Sequence, residues 1–181
     1  MLREKIHTRS VISDGYRRED GLWDIEATIQ DVKHYAFQNN FHGKINPEEP
    51  YHSMWVCLTI DAYFEIKEIQ VKTLKGPFEM CPNIVQNYQR LVGVKIGHAW
   101  QREVKRKVGR TEGCTHINEL ILYIGTVAFQ TIMPDLIKKR SEKKEAGESK
   151  SEFPSIVNSC HAWAEDSLVT KKLLLDHYKE K

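Results

Sequence analysis

Between Glu112 and Ile132 the chain reads EGCTHINELILYIGTVAFQTI, and no other stretch restricts the fold as much. Apolar residues recur at Ile117, Leu120, Ile121, Ile124, Val127, Ala128 and Ile132, the three-and-four spacing that lays one broad stripe along a helix. Such a helix must bury its stripe against another layer of structure. Gly113 suits a tight entry, Thr115 is placed to cap the free N–H groups of the first turn, and Pro134 marks the expected end.

The mouth of this helix carries the first candidate chemistry. Cys114 falls at its positive end, where the backbone dipoles favour a thiolate and therefore nucleophilicity or metal ligation. His116 lies roughly 200 degrees further round an ideal helix, so the two converge only if Cys114 stands outside the regular turn. Glu119, three residues on, is expected within reach of the imidazole, where a carboxylate would fix its tautomer. An inert core cysteine and a capping histidine would give the same sequence.

With 181 residues the chain suits a single domain spanning 1–181, with 138–152 expected as a flexible charged linker to a short C-terminal helical segment. Lys and Arg total 27 against 25 acidic residues, so net charge makes no case for nucleic acid or a membrane surface as partner. No apolar run is expected to span a membrane, and MLREKIHTRS lacks the apolar core of a signal peptide; a cytoplasmic location is the expectation. Cys57, Cys81, Cys114 and Cys160 are widely spread with no C-x-x-C pair, which favours reduced thiols, metal ligands or a nucleophile over disulfides.

Alternating patterns at 6–12 and 22–37, joined by the turn signal Glu19-Asp20-Gly21, predict a long hairpin. The stretch 38–50, with Gly43, Pro47 and Pro50, reads as an irregular polar loop. His52 precedes Met54 to Ile60, apolar on both faces and hence a central strand, and a turn at Asp61-Ala62-Tyr63 leads into a second hairpin ending near Lys75-Gly76-Pro77. Helical spacing then appears twice, from Cys81-Pro82 to Gly93 and over Trp100, Val104 and Val108, the latter among Arg102, Lys105, Arg106, Lys107 and Arg110. That basic group fits a solvated helix face, and no aromatic ladder accompanies it. A last helix is expected after Cys160 and His161, capped near Asp166 or Ser167. The fold class is α+β: an N-terminal antiparallel sheet of two hairpins packed against C-terminal helices.

Several stretches together, GYRREDGLWDIE, the His52-to-Trp55 step, Cys81-Pro82, IGHAW, EGCTHINEL, AFQT and the late CHA, resemble the bacterial family catalogued as domain of unknown function 2889. The likeness runs from about Arg9 to Tyr178 and implies a family identity without a mechanism. Gly97-His98-Ala99-Trp100 departs from the usual Gly-Pro-Gly-Trp of the family. The order of elements is also similar, more distantly, to NifU-like and SufE-like iron-sulfur scaffolds, which implies ligand roles for Cys81 and Cys114, with His52 in place of a missing first thiol.

Three functional classes remain open at this point. A metal or iron-sulfur centre would draw on His52, Cys81, Cys114 and His116, completed by Cys160 or His161, with zinc or iron as the expected metal. An acyl-transfer or hydrolytic enzyme would use Cys114 as nucleophile, with His116, His52 or His161 as base and Glu119 as orienting group. A non-catalytic module would use the same residues for packing and meet a small-molecule or protein partner elsewhere; an exposed edge of the first hairpin would allow a homodimer.

Overall fold

The computed structural model of the protein describes residues 1–145 and 157–172. The chain forms two compact units, Met1–Ala146 and Gly147–Lys181. The first is built on a four-stranded antiparallel sheet in the order β1-β2-β5-β6, from β1 (His7–Arg17), β2 (Trp23–Lys33), β5 (Pro50–Ile60) and β6 (Ile66–Lys75). Both expected hairpins are present, and Gly21 takes the left-handed conformation in the first turn, with φ at 85°. β5 lies between β2 and β6, as its two apolar faces require. The stretch read as an irregular loop instead forms a small ribbon, β3 (Phe37–Asn39) against β4 (Gly43–Ile45). Its turn is closed by Asn39 Oδ1, which accepts the N–H groups of Phe41 and His42, a local bond that Pro and Gly content alone does not predict.

Helices follow the sheet: a 3₁₀ helix over Cys81–Leu91, then α1 (Trp100–Val108) and α2 (Thr115–Glu145). The strict alternation of β2 sends Trp23, Ile25, Ala27 and Ile29 to one face with exposures of 0 to 1%. Met54, Val56, Leu58 and Ile60 of β5 join them, and the stripe of α2 (Ile117, Leu120, Ile121, Ile124, Ala128, Ile132) covers this face, with Val127 half-buried. Trp100, Val104 and Val108 seat α1 in the same core.

Pro134 does not end α2, which continues to Glu145 and so takes in 138–145 of the expected linker. A proline inside a helix removes one hydrogen bond and crowds one carbonyl, and flanking turns can carry the helix past it. Just past Pro134, α2 is tied to the sheet by Asp135, which accepts from Arg17 and from Trp23 Nε1. Thr115–Lys139 is, by length and composition, long and apolar enough to cross a membrane, contrary to the expectation from sequence. Its stripe is nevertheless the centre of the core and its flanks carry the ion pairs Arg9–Glu119 and Arg17–Asp135.

In the second unit, the described residues form a 3₁₀ turn over His161–Trp163 and a helical start at Leu168. Ser167 caps it, as expected, by accepting the N–H of Thr170.

Candidate metal centre

A polar row crosses one end of the otherwise apolar inner face of the sheet. Pairing places Arg9 of β1 directly opposite Asp31 of β2, and Asp31 opposite His52 of β5. The next row inward is Val11, Ile29 and Met54. Between Asp31/His52 and Val32/Pro50 the register shifts, so Tyr51 is an extra residue in β5. The bulge lies beyond His52, and the unbroken pairing from Ile60 back to His52 is what sends His52 to the same face as Asp31. The mouth of α2 closes over the row and brings Cys114, His116 and Glu119 to it.

Asp31 is the hub, with its side chain only 1% exposed. Arg9 grips it with both arms, Nε to Oδ1 at 2.8 Å and a terminal nitrogen to Oδ2 at 2.9 Å. His7 Nε2 lies 3.1 Å from Oδ1, His52 Nδ1 3.1 Å from Oδ2, and His116 Nε2 3.5 Å from Oδ2. Burial pushes the Asp31 carboxyl up, but the hydrogen bond and charge of Arg9 outweigh it, so the group is held below its ordinary value. The His52 imidazole is pushed down to about 4, first by burial and then by the neighbouring His116, and is neutral at pH 7. The His52 and His116 rings lie against each other at a tilt of 32°, with centroids 3.9 Å apart.

Cys114, rather than Thr115, caps α2. Its carbonyl accepts the first helical bond, from Asn118 N–H at 2.9 Å, and its sulfur accepts the N–H groups of His116 and Ile117. The sulfur also lies 3.8 Å from His116 Nδ1. Burial pushes the Cys114 thiol up; the His116 ring and the two backbone N–H groups overcome that and lower it. Buried Tyr88 fixes the turn: its hydroxyl accepts the Cys114 N–H at 2.8 Å and donates to Asn118 Oδ1 at 2.9 Å. Asn118 in turn donates to the Val108 carbonyl that ends α1.

The expected site residues therefore separate. His52, Cys114 and His116 converge; Glu119 turns away from His116 to pair with Arg9 at 2.5 Å, because the guanidinium supplies a full charge where the imidazole supplies a shared proton. Cys81 begins the 3₁₀ helix, beside Gly76 and Thr73. Cys160 and His161 are exposed in the second unit. All four thiols are free. Asp31, His7 and Arg9 were not singled out from sequence. The signal available was Asp31 itself, a carboxylate at the inward position of an alternating apolar strand, where a buried charge demands partners.

Among the described residues, Asp31, His52 and His116 form one group of three donors whose ligand atoms lie within 4.8 Å of one another and could hold a metal ion. It offers one oxygen and two nitrogens and no sulfur, so the iron-sulfur expectation is not supported: such clusters are held by cysteine thiolates, and Cys81 is not part of the group. The basic residues of α1 form a solvated face, on which Arg106 pairs with Glu103.

Fold and site define a class of α+β protein in which one helix mouth closes a charged row on an antiparallel sheet. The chain belongs to the family described as Protein of unknown function (DUF2889), whose model matches residues 7–130. That span reaches from His7 into α2 and includes every residue of the charged row. Comparisons with curated proteins and with solved structures gave no match.

Proposed function

We propose that Asp31, His52 and His116 bind a divalent transition-metal ion and that the protein acts through this centre. The observation that carries the reading is the triangle of donor atoms. Oδ2 to Nδ1 is 3.1 Å and Oδ2 to Nε2 is 3.5 Å. Ligands placed about 2.0 to 2.2 Å from a common ion are themselves roughly 3.0 to 3.5 Å apart. Two histidines and one carboxylate leave coordination positions open, the pattern of reactive zinc and non-haem iron sites rather than of closed structural ones. A bound ion would supply a Lewis acid at those open positions.

Charge favours the same reading. Asp31 and Glu119 both pair with Arg9, so these two carboxylates exceed the guanidinium by one negative charge, which a bound cation offsets. His52 is already neutral at pH 7, as a ligand must be. Arg9 on both oxygens and His7 on Oδ1 would hold the carboxylate in place, with Oδ2 shared between Arg9 and the ion, and Cys114 would hold the other nitrogen of His116. Zinc and iron both suit this donor set, in a protein expected to be cytoplasmic.

The test is metal content after air-free purification and after reconstitution with Zn²⁺ or Fe²⁺. About one equivalent should be bound by the wild type and by Cys81→Ser, and lost in a His52→Ala, His116→Ala double variant. Wild-type protein that stays metal-free after reconstitution overturns the proposal.

A second reading makes Cys114 a nucleophile, favoured by the order Cys114 Sγ, His116 Nδ1 and Nε2, Asp31 Oδ2. Its oxyanion would need donors other than the Cys114 N–H, which is spent on Tyr88. Cys114→Ser separates the two: it keeps the metal under the first reading and abolishes all turnover under the second.

A further inference from the structure

We propose that the cavity between the β3–β4 ribbon and the loop leaving β6 is a binding site for a free α-amino acid with an apolar side chain. The cavity measures about 380 Å³, at the small end of the range for sites that enclose an organic ligand. Its walls come from the ribbon, from the first residues of β5, and from 73–79 with Pro82. Asn39 Nδ2 donates to the Pro77 carbonyl at 3.4 Å, and the Phe41 and Phe78 rings meet edge to face at 5.2 Å, so the ribbon is fastened to the loop. Two departures from regular pairing lead into this space. Tyr51 is the extra residue of β5 against β2. Leu74 is the extra residue of β6 against β5, since Ser53 pairs with Lys75 and Met54 with Thr73. Both line the cavity. A bulge gives up regular ladder bonds to re-aim a side chain and is over-represented beside active sites; here two of them, on different strand pairs, serve one space.

The lining carries charges of both signs. The side chains of Lys44, Lys75 and Glu79 have no partner among the described residues, and Glu49 accepts only from the N–H groups of Asn46. No ion pair among these four therefore closes the cavity from within. The two ammonium groups suit a carboxylate, and the two carboxylates suit an ammonium. Ile45, Leu74 and Phe78 add an apolar wall. A zwitterion with an apolar side chain matches all three features, whereas a simple fatty acid or amine leaves one pair of charges without a partner. The site does not depend on a metal in the charged row, although the Tyr51 ring lies 4.5 Å from that of His52.

L-Leucine, L-methionine and L-phenylalanine, titrated separately into the full chain and followed through its amide and methyl resonances, test this. At least one should give a saturable shift centred on Ile45, Leu74 and Phe78. For the amino acid that binds best, the analogue lacking the ammonium and the analogue lacking the carboxylate should each bind about tenfold more weakly. A Lys44→Gln, Lys75→Gln double variant should lose about tenfold in affinity for the amino acid without weakening the amine analogue. Both lysines are exposed, so the double variant is expected to fold. No saturable shift with any of the three amino acids overturns the proposal. An analogue that binds as tightly as the amino acid, or a double variant that binds the amino acid unchanged, overturns it as well.

Discussion

Asp31 has a side chain with only 1% exposure and no water to solvate its charge, so its partners determine whether the residue is tolerated. Breaking a buried pair by deleting one member costs more than the pair contributes, because the remaining charge is stranded. Arg9→Met should therefore lower stability in urea by about 3 kcal/mol, and Arg9→Met combined with Asp31→Asn should recover a large part of that loss. Additive losses in the double variant would show that the two side chains act separately. Among the thiols, burial and the nearby carboxylates Asp24 and Glu26 push Cys57 up to about 12, whereas Cys114 is lowered. Iodoacetamide at pH 8 should modify Cys114 in the native protein and leave Cys57 untouched until unfolding, with mass spectrometry of the peptides as the readout.

The elements depend on close approaches as much as on pattern. α1 meets α2 where Trp100 crosses Gly125, and a β-carbon there would lie 2.8 Å from the buried, unpartnered Trp100 Nε1. Alanine gains about 1 kcal/mol over glycine in a helix, but overpacking a core costs about 1 to 3 kcal/mol. Gly125→Ala should be net destabilising by about 1 kcal/mol, seen as a lower Tm. That glycine was indistinguishable, in sequence, from a weak point in the helix. The apolar stripe of α2 and both hairpins were legible because a period of 3.6 or 2 must follow from a one-sided core. His52, Cys114 and His116 were legible as residue types. Their convergence on Asp31 was not, because it depends on strand register and on where the mouth of α2 meets the sheet. The capping role of Cys114 and the Glu119–Arg9 pair were hidden for the same reason: each partner lies on an element whose placement only the tertiary structure gives.

In the first unit as a whole, β2 and β5 are the interior strands and β1 and β6 the edges. Amide hydrogen exchange should be slowest in β2 and β5 and fastest in the outer-facing ladder positions of β1, so a uniformly protected β1 in dilute solution would indicate pairing with a second copy along that edge. The charged row has a further consequence. Its donors stand at positions 31, 52 and 116 on two strands and a helix, and no local segment of chain contains more than one of them. A metal held there binds the completed fold and nothing earlier, so its free energy of binding adds directly to stability. Free metal at about a hundred times the Kd would contribute about 2.7 kcal/mol. Metal supply would then govern how much of the protein escapes proteolysis in the cell, and a starved culture would lose the polypeptide itself along with its activity.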